Sequence, residues 1–161
     1  MKKLIPFFLL TASVAILLVF AAQQPTSAQG SGKLIVFTDM ALFSGPNQPR
    51  NCFNMNRYKV GENAGFRISV VDPATGEPAK DVDVVVHLTY GGKTEDVPAR
   101  YRGAGGRGNT TPNLWSAKWV VPAGTPTGKV DVRVTATDKM GRSGEFKPFP
   151  NEAGQLTIVT E

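Results

Sequence analysis

The chemistry open to this chain is limited by what it lacks. It holds one cysteine, one histidine and four methionines among 161 residues. The cysteine, Cys52, stands in PRNCFNMNRY (49–58), close to Met55 and after Met40. A thiolate with thioethers is a set that prefers Cu(I). A lone thiol outside the cytoplasm has two other fates. It packs as a small apolar residue, or it pairs with a thiol of another chain. No histidine lies near it in sequence to strengthen the metal reading, and all three fates remain open.

The histidine, His87, lies in DVDVVVHLTY (81–90), where alternation places it on the polar side of a strand. A hydrolytic pair with Cys52 is open on spacing alone. Such a pair needs an orienting third group and an oxyanion site, and no G-x-S-x-G motif occurs. Neither C-x-x-C-H, for covalent haem, nor H-x-x-x-H, for zinc, is present. The chain therefore reads as non-enzymatic, with no obligatory cofactor. Calcium is the second candidate metal. Asp72 ends one extended run, Asp81 opens the next and Asp138 ends a later one. In an up-and-down arrangement these three carboxylates reach one pole, and Ca²⁺ takes six to eight such oxygens. The competing account is turn chemistry, because Asp before Pro or Gly caps backbone N–H groups locally.

The densest basic stretch is ARYRGAGGRG, with Arg100, Arg102 and Arg107 among glycines. It reads as a flexible loop whose Arg102 and Arg107 could meet an acidic partner or an anionic surface. There is no basic stripe interleaved with aromatics, so nucleic acid is not an expected partner.

The elements that must position these groups are strands. After residue 28, no window of helical length places apolar residues at i, i+3, i+4 and i+7 without an interrupting Gly or Pro. The recurring period is two. KLIVFTD (33–39), FRISVVD (66–72), DVDVVVHLTY (81–90), LWSAKWVV (114–121), KVDVRVTATD (129–138) and the closing GQLTIVTE give six clear strands, and EDVPARY (95–101) gives a weaker seventh. Phe66, Ile68 and Val70 share one face, as do Val82, Val84, Val86 and Leu88, and so do Val130, Val132, Val134 and Ala136. Trp115 and Trp119 fall on the apolar side of their strand and supply bulk for a core. DPATGEP, YGGK, PAGTPTG, DKMGRSG and FPNEAG punctuate the runs as turns. Short alternating strands with regular turns predict an all-β sandwich of about seven antiparallel strands. The connection 39–63 around Cys52 is long for a compact domain, and loops of that kind often serve binding.

The first 28 residues read as a signal peptide. Lys2 and Lys3 precede an apolar run from Leu4 to Ala22, and Thr26-Ser27-Ala28 offers a small-residue cleavage site. The run is also long enough to stay as an uncleaved anchor. Either way the domain 29–161 is expected in the periplasm or secreted, or facing the periplasm from a membrane anchor. Loss of Lys2 and Lys3 takes the net charge from +5 to about +3, an ordinary solvated surface.

The stretches VVDPATGEPAKDV, LWSAKWVVPAGTPTGKVDVRVTATDKMGRSGEFKPF and GQLTIV carry a resemblance. They are similar to bacterial extracytoplasmic Ig-like domains, over about residues 64–160. The resemblance implies an Ig-like (fibronectin III-like) sandwich and implies no catalytic residues. It carries no function, because such sandwiches host unrelated roles. The expected role is a non-catalytic binding or accessory module that contacts another extracytoplasmic protein through Cys52, Arg102 and Arg107. Two alternatives stand beside it. One is a periplasmic metal-handling protein, using Cys52, Met55 and Met40 for Cu(I) or Asp72, Asp81 and Asp138 for Ca²⁺. The other is a surface adhesin or matrix component.

Overall fold

The computed structural model describes residues 32–42, 54–103, 113–151 and 154–160, all within one compact unit, Gly32–Glu161. The expected leader, 1–28, lies outside the described residues. So do Cys52 and Arg107.

Among the described residues the regular structure is strand alone, in two sheets. In chain order the strands are β1 (Ile35–Leu42), β2 (Arg57–Tyr58), β3 (Asn63–Val71), β4 (Val82–Tyr90), β5 (Lys93–Pro98), β6 (Arg100–Tyr101), β7 (Trp115–Val120), β8 (Gly128–Asp138), β9 (Ser143–Phe146) and β10 (Leu156–Ile158). One sheet has the order β1-β3-β7-β6; the other has β2-β10-β8-β4-β5, with β9 also paired to β8. The arrangement is compatible with a β-sandwich. Alternate residues of each strand turn inward, since neighbours on an extended chain face opposite ways.

The period-two reading places the core, except that Val82, at the start of β4, is only partly buried. Phe66, Ile68 and Val70 of β3 are buried, as are Val84, Val86 and Leu88 of β4 and Val130, Val132, Val134 and Ala136 of β8. Trp115, Ala117 and Trp119 of β7 join them, with Leu156 and Ile158 of β10.

Four details differ from the sequence reading. First, β1 runs on past Asp39 to Leu42, paired residue for residue with β3. Second, the expected loop 39–63 contains structure. Asn54 bridges Ala41, and β2 then crosses to the other sheet to lie parallel to β10. That one pair breaks the all-antiparallel expectation. Third, β9 forms where only a turn was expected, because the Asp138–Gly141 turn is tight enough for the chain to return along β8. Gly141, at φ +81°, supplies the left-handed step. Fourth, the weak strand 95–101 is two strands on opposite sheets. β5 pairs with β4 and β6 with β7, the switch falling at Pro98–Ala99. Pro98 needs no N–H at this position, and the Ala99 N–H still donates to the Val84 carbonyl of β4 at 2.9 Å before the chain passes to the other sheet at Arg100.

β1 and β9 approach closely at the sandwich edge. The Leu34 N–H donates to the Ser143 carbonyl at 3.0 Å. A methyl group on Gly144 would run into the Leu34 carbonyl and stand 2.8 Å from a methyl of Val36. Further along the same edge lies a cleft, or seam, lined from β1, β8 and β9.

Candidate functional site

That seam collects the first pair of sequence candidates. Met40 comes from β1 and Met55 from the chain that returns beside it. The Met55 N–H donates to the Met40 carbonyl at 3.2 Å. Both side chains are partly buried against the core. With Phe37, Asn54, Val132, Phe146 and Phe149, among others, they line a cleft of about 310 Å³. The ring of Phe37 meets that of Phe146 edge-on, centroids 5.7 Å apart. Phe37 is nonetheless 58% exposed and Phe149 75%. The Tyr58 hydroxyl, buried behind the cleft, donates to the Met55 carbonyl at 2.8 Å. Burial, helped by the nearby Glu62 charge, pushes that phenol far above the usual tyrosine range. Met55 is thus tied to a buried side chain, while Phe37 and Phe149 face solvent.

The second group, the three aspartates, meets an arginine. Asp72, Asp81 and Asp138 line one depression. Arg142, from the β8–β9 turn, reaches into it. Its Nη1 donates to Asp72 Oδ2 at 2.7 Å, and its Nε donates to Asp138 Oδ2 at 2.6 Å. The Asp72 carboxyl lies below its ordinary range, first because the Ala74 N–H donates to it, then because Arg142 does. Burial pushes Asp138 upward, but Arg142 and the backbone N–H groups of Arg142 and Met140 outweigh this and leave it lowered. The same bonds raise Arg142. A calcium ion here would compete with a guanidinium already seated on two of the three carboxylates. Among the described residues no group of three or more His, Cys, Asp or Glu side chains is placed to hold a metal.

His87 stands on the outer face of β4, as its parity indicated. Asp96 on β5 lies 2.6 Å from its Nδ1, and the Thr135 hydroxyl on β8 lies 2.9 Å from its Nε2. Both ring nitrogens are engaged by cross-strand neighbours, and its proposed partner Cys52 is outside the described residues. Glu95 of β5 escaped the sequence reading altogether. It points inward and accepts two bonds on one oxygen, from the Tyr90 hydroxyl at 2.7 Å and from the Trp119 indole at 3.2 Å.

Arg102 is the remaining candidate. It follows β6, and its backbone N–H donates to the Leu114 carbonyl at 2.8 Å. Its Nε donates to the Ser116 hydroxyl at 2.6 Å. Composition predicts a flexible loop at this point; the structure shows Arg102 anchored to β7. The three sequence-derived groups therefore occupy three separate regions: the seam, the aspartate pole and the β6–β7 margin. Searches of protein-family models, of curated proteins and of solved structures find no match to this chain.

Proposed function

We propose that this chain is a non-catalytic, extracytoplasmic binding module with an Ig-like (fibronectin III-like) sandwich, exported by residues 1–28, and that its partner is another extracytoplasmic protein. The observation that carries this reading is the open seam. It is a cleft with an apolar rim at the place where the 39–63 connection returns to the sandwich. Exposed apolar surface ringed by polar residues marks protein contacts. Phe149 and Phe37 are the side chains such a contact would cover, and Cys52 enters the chain just before the seam's Asn54 and Met55. Strand geometry supports the non-catalytic part, since His87 spends both nitrogens tying β5, β4 and β8 together. Gentle extraction with thiols blocked, followed by identification of co-purifying chains, tests the reading. Phe149→Ser and Phe37→Ser should reduce capture of the partner severalfold. Undiminished capture by both variants would refute the seam as the contact.

A second reading has one observation in its favour. Met40 and Met55 are brought together by a direct backbone bond, and two thioethers with a thiol three residues before Met55 in sequence are a set that suits Cu(I). Elemental analysis of protein taken from its native compartment distinguishes the two. Copper at one equivalent, lost in Met55→Leu, would replace the binding-module reading with a metal-handling one.

A further inference from the structure

The outer face of the four-stranded sheet carries a row of side chains in register. Asp39 on β1 faces Arg67 on β3, Arg67 faces Ser116 on β7, and Ser116 faces Arg100 on β6. Side chains directly opposite one another start about 5 Å apart at Cβ, so each step is within contact. The two ends of the row are balanced differently. At the β1 end Asp39 accepts from Arg67 through both carboxylate oxygens, at 2.7 and 2.6 Å. That pair is neutral.

At the β6 end no such acid is present among the described residues. Arg100, Arg102 and Lys118 are exposed there, and none of the three has an ion pair with a described residue. Arg102 spends only its Nε–H, on Ser116. Its two terminal nitrogens have no hydrogen bond to a described residue and form a planar fork, the shape that takes a carboxylate in bidentate fashion. Ser116 is 8% exposed. Its oxygen accepts from Arg102, which leaves its O–H to donate. The frame beneath is cross-linked by contacts between β6 and the start of β7. The Tyr101 ring lies 4.8 Å from that of Trp115, and the Tyr101 hydroxyl donates to Asn113 at 2.8 Å.

We propose that Arg100, Arg102, Lys118 and Ser116 form a carboxylate socket that receives an acidic side chain from a segment of the partner protein. The inference rests on the reading of the chain as a protein-binding module and names the chemistry of one contact. Charge selects an acid, because three cations share the β6–β7 margin and none has an ion pair with a described residue. Preorganisation strengthens the choice, because the Ser116 bond fixes the Arg102 side chain before any ligand arrives. The flanks select a polypeptide over a free anion. Val120, 47% exposed, shares the outer face with Ser116 and Lys118 and offers an apolar contact beside the charges.

The test uses a fluorescein-labelled hexaglutamate peptide, read by anisotropy at low salt against the full chain purified from the exporting cell. Binding is expected and should weaken as NaCl is added. Arg100→Ala and Arg102→Ala should each weaken it about tenfold, the equivalent of one charge-assisted bond. Arg102→Lys should lose nearly as much, because an ammonium cannot form the fork. Ser116→Ala should lose less, since it only frees the arginine. Lys129→Ala, on the other sheet, should bind as the parent does. No binding at low salt would overturn the socket. So would equal losses from Lys129→Ala and Arg102→Ala, which would report net charge alone, or full binding by Arg102→Lys. Capture of a native partner that persists in Arg100→Ala and Arg102→Ala would also overturn it while leaving the binding module intact. Hexaglutamate binding with no native protein partner captured would keep the socket and defeat the module.

Discussion

Glu95 provides the sharpest test of how the two sheets are joined. Its carboxylate oxygen accepts from Tyr90, on β4 of one sheet, and from Trp119, on β7 of the other. Both donors are buried, Tyr90 at 4% exposure and Trp119 at 2%, and their rings lie 5.2 Å apart. Glu95→Ala leaves both donors without this acceptor. An orphaned buried polar group costs about 1–3 kcal/mol, so the pair should cost about 2–6 kcal/mol. A domain of this size changes its Tm by about 4 °C per kcal/mol, which places the loss at about 8–24 °C. Glu95→Gln keeps an accepting oxygen and should cost only about 1 kcal/mol. Urea unfolding followed by the fluorescence of the two tryptophans measures both, with an unchanged m-value as the check on two-state behaviour. The decisive variant is Tyr90→Phe in the Glu95→Ala background. By itself Tyr90→Phe removes a satisfied bond and should destabilise. After Glu95→Ala it removes an orphan and should restore about 1 kcal/mol or more. If Tyr90→Phe costs the same in both backgrounds, the carboxylate bridge makes no energetic contribution and the reasoning fails.

Three further outcomes follow from the same geometry. Gly144→Ala should destabilise by about 1–3 kcal/mol, because the added methyl meets the Leu34 carbonyl and the β1–β9 edge must shift; an unchanged urea midpoint would show that the edge is looser than described. Asp72 and Asp138 have folded pKa values lowered by Arg142 and backbone N–H groups, so the stability they contribute is full above the ordinary carboxylate value of about 3.9 and is lost as pH falls through their folded values. Arg142→Ala should therefore lower Tm at neutral pH and flatten its fall in acid, and an unaltered acid profile would count against the clamp. Tyr90 is pushed up to about 12 by burial, then by its bond to Glu95; stability it contributes below pH 10 is lost between about 10 and 12. Tyr90→Phe should remove part of the alkaline loss of Tm, and an identical alkaline limb would contradict that assignment.

What the sequence could say about this fold depended on which interactions are local. Alternation along one strand is local, so Phe66, Val86 and Val134 could be placed inward without any knowledge of their neighbours. The aspartate pole was legible for a related reason: strands that run up and down return their ends to the same place, and Asp72 and Asp138 obeyed. What fills the pole was not legible. Arg142 was read as part of a glycine-bearing turn, and its reach to Asp72 crosses 70 positions of sequence. Glu95 was hidden because a glutamate in a weak, charged strand looks solvated until a tryptophan from the facing sheet is brought to it. The β6–β7 margin shows the limit most clearly. Arg102 was singled out from composition, as one arginine in a glycine-rich stretch. Its importance in the structure comes from Ser116, a small residue between two tryptophans on a strand read only for its bulk. The inward parity that exposed Trp115 and Trp119 as core also dictates that Ser116, Lys118 and Val120 face outward together, so half of the socket was written in the strand already. The missing half was the pairing of β6 with β7, set by a two-residue strand too short to announce itself. A functional surface on a sandwich is therefore read best by following the outward residues of the strongest strand and asking which edge strand lies beside them.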